Sequence, residues 1–281
     1  MYKDIKEIFE TETGKKARSI KKIEGGFNND NYLINDAYIL RLLKENEDET
    51  IDHTKEAEIY KNILTSFPLA EKIVFFSEDG AIKISRFIHG SRPYKDSLDE
   101  TQILSIVRAL KKLRKNDYQT SQHYDAIGKL ETYKRTLNKD EEIDQTLETK
   151  TKEEFAKILS KDSEIFSHND LVRGNMLFSF NGVKLIDREY ASMNSSYFDI
   201  ASIISENGLN LQQKEYFLKK FYGTKLNLSL RKKIGITILF QDILFYYRAN
   251  YMFLKRKDSI YQKIKDDKRK RIASDRISVD L

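Results

Sequence analysis

The stretch Ser167-His168-Asn169-Asp170-Leu171-Val172-Arg173-Gly174-Asn175 places a carboxylate and a carboxamide on one irregular loop, and Ile186-Asp187 follows shortly after. Asp and Asn at this separation on a loop can point at one centre. The second Asp can return to that centre if the residues between form a tight hairpin. Met176-Leu177-Phe178 and Val183-Lys184-Leu185-Ile186 flank Asn181-Gly182, and Asn-Gly between apolar runs is a strong hairpin signal. Phosphoryl transfer needs such a set. One carboxylate orients and deprotonates the attacking hydroxyl, while an Asn and a further Asp hold Mg²⁺ on nucleotide phosphates. Hard oxygen donors suit Mg²⁺, which keeps waters and takes few protein groups. Singly, each residue could be a turn former, because Asp and Asn favour loops. It is the combined spacing that points to chemistry. His168 reads as a brace for the loop rather than a base.

The elements that must hold this set change character along the chain. The first ninety residues read as strands with one helix. Ile20 to Glu24 leads into Gly25-Gly26-Phe27-Asn28-Asn29-Asp30-Asn31. Tyr32-Leu33-Ile34 turns at Asn35-Asp36 into Tyr38 to Leu43. A helix is predicted from about Thr54 to Leu64, then strands at Ile73 to Phe76 and Ala81 to Ile84. The Gly-Gly-Asn-rich loop could bring backbone N–H groups close to phosphates, because its residues tolerate positive φ. It is not a Walker loop, since no Gly-Lys-Ser/Thr follows. From Gly90 the pattern turns helical. Ser97 is a plausible N-cap before Ile103, Leu104, Val107, Leu110 and Leu113. Helices also account for the chain from Tyr197 onward. The expectation is an α+β, bilobal chain. A small antiparallel sheet lobe with one helix covers residues 1–88 and a larger, mainly helical lobe covers 89–281. The hinge falls near Ile84 to Gly90.

Composition narrows the classes. With 281 residues and 40% hydrophobic side chains, the chain can build a large core, and about two lobes is the length prior. Cys is 0, which excludes disulfides and thiolate metal sites. A net charge of +6 is compatible with an anionic ligand and too weak to argue for nucleic acid. No run approaches a membrane span, and the acidic, apolar-poor start does not read as a signal peptide. A soluble cytoplasmic protein is therefore expected, without stable membrane insertion. Lys263 to Arg276 reads as a solvated C-terminal helix, with anionic lipid or nucleic acid contact as the alternative.

Around the loop, Ile186-Asp187-Arg188-Glu189-Tyr190-Ala191 and Phe198-Asp199-Ile200-Ala201 resemble motifs of the choline/ethanolamine kinase family. That family lies within the aminoglycoside-phosphotransferase superfamily, and the resemblance covers most of the chain. It implies a protein-kinase-like fold, with ATP and Mg²⁺ as cofactors. It makes Asp170 the catalytic base and Asn175 and Asp187 the magnesium ligands. It makes Gly25, Gly26, Asn28 and Asn29 part of the nucleotide loop. Arg41, in its Leu-Arg-Leu setting, would be the phosphate-binding cation, with Glu56 as its ion-pair partner. Ser85, Phe87 and Ile88 would form the hinge whose backbone binds adenine.

The acceptor implied is a small amino alcohol. A cationic head needs ring faces and a nearby negative charge. The candidates are Glu189, Tyr190, Tyr197, Glu206, Asp242 and Tyr246. Glu206 follows Asp199 at the spacing of an acidic substrate residue in the family. Further rings lie on a predicted helix at Phe240, Phe245, Tyr247 and Tyr251, where only some can face one pocket. For any single one of these, core packing is the stronger reading. Trp is 0, so any cage must be built from Tyr and Phe. Choline and ethanolamine lead. An aminoglycoside, thiamine or a sugar stays open, and so does a non-catalytic nucleotide-binding role.

Overall fold

The structure is a computed structural model and describes residues 2–23, 29–44, 50–61, 69–115, 118–137 and 143–279. It divides into two compact units. The first comprises Met1–Tyr94 with Gly174–Tyr190, and the second Lys95–Arg173 with Ala191–Leu281. In place of the division at residue 88 expected from sequence, the first unit runs on to Tyr94 and takes in the later hairpin.

The first unit is built on strands β1 (Ile20–Ile23), β2 (Asn29–Ile34), β3 (Tyr38–Leu43), β4 (Ile73–Phe76) and β5 (Ile82–Arg86). They pair antiparallel in the order β1-β2-β3-β5-β4. Asn35 and Asp36 both take positive φ, 53° and 51°, in the three-residue connection 35–37 between the paired Ile34 and Tyr38, with Ala37 N–H donating to Ile34 O at 3.1 Å. The Asn35 carboxamide oxygen then accepts from the Arg18 and Ser19 N–H groups. Among the described residues two helices accompany the sheet, where one was expected. The additional helix is α1 (Tyr2–Thr13), whose Ile5 and Phe9, one turn apart, are buried against Tyr32, Ile34, Tyr38, Leu40 and Ile84. Each such side chain contributes about 1.5–3 kcal/mol when fully buried.

The other helix is α2 (His53–Ile59), and its expected end at Leu64 lies among residues 62–68, outside the described part. Gly80 fixes where α2 begins. It has φ +75°, and a Cβ there would stand 2.4 Å from the His53 Cβ. The hairpin β7 (Met176–Ser179) and β8 (Gly182–Leu185) turns through Gly182 at φ 104°. It is tied into this unit by reciprocal Arg92–Phe178 backbone bonds of 3.0 and 2.8 Å, and by Leu185 N–H to Leu69 O at 2.9 Å.

The second unit is mainly helical. Helices α3 (Glu100–Lys115), α4 (Ala126–Lys134), α5 (Gln145–Lys161), α6 (Phe198–Glu206), α7 (Leu211–Tyr222), α8 (Leu228–Arg256) and α9 (Ser259–Val279) surround a short pair, β6 (Glu164–Ser167) and β9 (Ser192–Ser195). The cap of α3 is Asp99, not Ser97. Asp99 Oδ1 accepts from Gln102 N–H at 2.8 Å while Gln102 Oε1 accepts from Asp99 N–H at 3.0 Å, a reciprocal pair that an isolated serine cannot form. Helix α8 passes through the core, where Phe240 stacks on Phe155 with ring centroids 4.0 Å apart. The C-terminal helix α9 is not simply solvated, because Tyr261, Lys268 and Ile272 on it are buried. Among the described residues no helix is long and apolar enough to cross a membrane.

Candidate active site

In the first unit the sheet register sets two cations side by side. Arg41 on β3 lies directly opposite Lys83 on β5, and both side chains are buried. Like charges in that position repel unless acids are placed between them. Glu56, from α2, meets Arg41 through two parallel bonds, Nη1–Oε1 at 3.0 Å and Nη2–Oε2 at 2.8 Å. Lys83 Nζ reaches Glu56 Oε1 and Glu71 Oε1, each at 3.2 Å. Tyr60 donates its hydroxyl to Glu71 at 2.5 Å.

Burial alone would raise the carboxyl of Glu56, but Arg41 and Lys83 outweigh it and hold the group well below the usual carboxylate range. Glu71 behaves alike, its burial overcome by Lys83 and the Tyr60 hydrogen bond. Burial also opposes the charge on Lys83, as does Arg41, yet Glu56, Glu71 and Asp187 raise it overall. Burial, then Glu71 and Glu56, push Tyr60 well above its ordinary value, so it remains a donor. Arg41, Lys83, Glu56 and Glu71 are thus all both buried and paired.

Asp187 is the member of the cluster that reaches solvent. Its side chain is 33% exposed, with Oδ1 at 3.3 Å from Arg41 Nη1 and 3.9 Å from Lys83 Nζ. Its φ is +57°, the left-handed region that few non-glycine residues occupy. Ile186 N–H donates to the Asn175 carbonyl at 2.9 Å, which joins the backbone beside Asp187 to the residue that ends the 3₁₀ turn Arg173–Asn175. The donor set these two residues offer is one carboxylate and one carboxamide oxygen. No group of three or more His, Asp or Glu is arranged for a metal among the described residues. Mg²⁺ suits such a set, because it takes one or two protein oxygens and fills the rest of its shell with water and phosphate.

The other nucleotide candidates divide. Gly25, Gly26 and Asn28 lie outside the described residues. Asn29 opens β2, is buried, and its Oδ1 has no hydrogen-bond partner among the described residues. Ser85 is buried on β5. The Phe87 N–H does not stand ready for a base, because it donates to Ala37 O at 2.9 Å. The Ile88 carbonyl accepts the Ser91 hydroxyl at 2.7 Å.

Asp170 belongs to the second unit, and the residues before it are rigidly held. The Asp199 carboxylate, in the first turn of α6, accepts from the His168 and Asn169 N–H groups, both at 2.9 Å. Asn169 takes φ 64°, donates to Ser192 Oγ at 3.1 Å and accepts from Asn194 Nδ2 at 2.7 Å. His168 is completely buried. Asp199 is therefore a clamp for the loop that carries Asp170.

The substrate candidates have dissimilar surroundings. Glu189 and Tyr190 are in the first unit and Tyr190 is largely buried. Tyr197 faces Asp162, with its hydroxyl at 3.4 Å, and Lys233 sits 5.5 Å from its ring. Tyr246 is sealed in the core against Tyr247. Glu206 and Asp242 already share a cation: Lys268 of α9 bonds to Glu206, and to Asp242 Oδ1 at 2.7 Å. Asp242 also accepts the Ser205 hydroxyl at 2.7 Å and is fully buried. Both acids named from the sequence as substrate candidates are thus already engaged by Lys268.

Sequence reasoning missed Lys83, Glu71 and Lys268. A lysine inside the apolar run Ile82-Lys83-Ile84 was a usable signal, since a charge within a strand that is otherwise buried implies a partner. Lys268 carried none, because it sits among equally charged neighbours.

The family model of choline/ethanolamine kinase matches residues 20–229. Protein LicA of Haemophilus influenzae is 33% identical over 86 residues, covering 28% of this chain and 32% of LicA, so the match spans about a third of that relative's length. Among solved structures, choline kinase LicA from Streptococcus pneumoniae superposes with a TM-score of 0.82 at 20% identity, over 98% of this chain and 99% of that one. A structure of LicA in complex with AMP gives 0.79 at 21% identity, over 97% and 98%. These likenesses establish a shared protein-kinase-like fold.

Proposed function

The chain belongs to the choline/ethanolamine kinase family, and from that premise we propose that it transfers the terminal phosphoryl group of ATP to the hydroxyl of choline or ethanolamine. The observation that carries the reading is the buried Arg41–Glu56–Lys83 cluster with Asp187 at its exposed edge. A cation held this firmly, beside a carboxylate that reaches solvent, is suited to bind phosphate oxygens and a divalent ion together. The AMP complex of LicA supports an adenine nucleotide.

In this mechanism Asp170 accepts the proton of the acceptor hydroxyl as its oxygen bonds to phosphorus and ADP leaves. Arg41, oriented by Glu56, steadies the phosphates. Asn175 and Asp187 would hold Mg²⁺, which supplies charge neutralisation on the phosphates when bound. Asp199 fixes the loop of Asp170, so its carboxylate meets the hydroxyl without reorganisation. For the acceptor's cationic group, Glu189, Tyr190 and Tyr197 remain the proposed contacts, whereas Tyr246 is sealed in the core. Glu206 and Asp242 act there only if Lys268 yields them.

The test is ADP release from a panel of choline, ethanolamine, an aminoglycoside, thiamine and a sugar. Turnover of an amino alcohol is expected, and Asp170→Asn should lower it by about 10²- to 10⁴-fold with nucleotide binding retained. Turnover confined to the sugar or the antibiotic would reassign the substrate. Near-wild-type activity of Asp170→Asn would remove the proposed base.

A further inference from the structure

A second binding feature lies within the second unit, apart from every residue given a role above. The end of α3 and the end of α7 flank an open depression of about 520 Å³ lined by Lys111, Arg114, Lys115, Phe221, Tyr222 and Lys225. Its size is in the range of small-ligand sites. Four of the six lining residues are cations and none is an acid.

Two of the cations are fixed by neutral groups. Arg114 lies over the Phe221 ring, 4.6 Å from its centroid, and donates to the Ser196 carbonyl. Lys111 donates to the Lys220 carbonyl at 2.9 Å and sits 5.9 Å from the same ring. Lys115 and Lys225 have no acid partner among the described residues, and neither do Lys111 and Arg114. The single acid of α7, Glu215, is engaged elsewhere by Arg231, through two bonds of 2.8 Å.

Cations at the last turn of α3 do complement that helix's carbonyl end. This does not account for Lys225, which arrives on a separate 3₁₀ turn, Gly223–Lys225, and adds a like charge. Like charges that converge on a concave surface, without counter-acids, raise the local potential for anions. Burial, set against the pull of Arg114, raises the Tyr222 hydroxyl, so this wall offers a neutral O–H donor.

We propose that this α3–α7 depression binds a small anion carrying several phosphate groups. The fixed guanidinium favours a compact anionic ligand, since Arg114 is held by a carbonyl and a ring before any ligand arrives.

The probe is inorganic tripolyphosphate, titrated calorimetrically into the full chain at low and physiological salt. A binding event is expected that weakens as salt rises. It should be at least tenfold weaker or absent in Lys115→Glu/Lys225→Glu and kept in Lys115→Arg/Lys225→Arg. Both lysines are exposed, and thermal melts of the variants check the fold, with Lys115→Gln/Lys225→Gln as the milder replacement. Any binding at the nucleotide site persists in all of these variants and is recognised by that. Identical titrations of wild-type and charge-reversed chains would overturn the proposal. So would sedimentation with phosphatidylglycerol-containing vesicles without any tripolyphosphate heat, which would assign the patch to a lipid surface.

Discussion

Arg41 on β3 and Glu56 on α2 meet side by side through both nitrogens and both oxygens, at 3.0 and 2.8 Å, with side chains only 3% and 0% exposed. Such a pair cannot be judged as a surface ion pair. Removing one partner strands the other charge in a low-dielectric interior, which costs about 3–5 kcal/mol. Arg41→Ala is expected near the lower end of that range, because Lys83 still reaches Glu56. Arg41→Lys keeps the charge and loses the planar fork. It should unfold close to the wild type yet bind nucleotide more weakly. Urea denaturation and nucleotide titration of the two variants measure this. A stability loss below about 1 kcal/mol for Arg41→Ala would place the pair among solvated ones.

Acid should weaken the fold through the same cluster. Glu56 and Glu71 are depressed in the folded chain, despite burial, by the cations around them. A depressed carboxyl contributes stability that is complete above its unfolded pKa of about 4.3 and fades as pH falls toward the folded value. Glu56→Gln removes that contribution. The difference in melting temperature between wild type and Glu56→Gln should therefore be largest near neutrality and shrink between about pH 5 and pH 3. A constant difference across that window would mean that Glu56 is not held ionised by its partners.

Much of this arrangement was legible because the signals are local. The Asn35-Asp36 turn and the Asn181-Gly182 hairpin depend on nearest neighbours, and the structure follows them. The Arg41–Glu56 pair was readable through the family resemblance, which implies a phosphate-binding cation in that strand and its acidic partner on the helix. What could not be read depends on register between distant segments. Lys83 becomes a partner of Glu56 only because β5 pairs with β3 at that offset. Lys268 looks solvated in Asp266-Asp267-Lys268-Arg269 until α9 packs along α8 and turns that one lysine inward. The helix α1 was legible in principle from Ile5, Ile8 and Phe9, but its many charges hide the apolar stripe.

Lys268 should be the residue that holds α9 in place. Burial alone would lower its pKa, yet Glu206 and Asp242 outweigh burial and keep it charged. Both acids lose their cation in Lys268→Met, and about 3–5 kcal/mol of stability is expected to go with it. Adding Asp242→Asn to Lys268→Met removes one stranded charge and should recover part of the loss. Denaturant unfolding of the single and double variants reads this out. If Lys268→Met were as stable as the wild type, the acids would be reaching water by another route, and Glu206 and Asp242 would return as open substrate contacts.

Asp199 offers the clearest separation of positioning from chemistry. Its two oxygens accept from the His168 and Asn169 N–H groups, and Asn169 holds a left-handed φ immediately before Asp170. Without the carboxylate both buried N–H groups lose their partner, at about 1–3 kcal/mol each, and the left-handed turn loses what over-determines it. Asp199→Ala should therefore lower kcat well beyond tenfold with little change in nucleotide affinity, since the carboxylate bonds to the loop of Asp170. Asp199→Asn keeps one acceptor oxygen and should fall between. Measuring kcat, KM for ATP and amide hydrogen exchange at residues 168–169 distinguishes this from simple unfolding. Loss of kcat with unchanged exchange at those amides would mean that Asp199 acts on the reaction by some other route than the clamp.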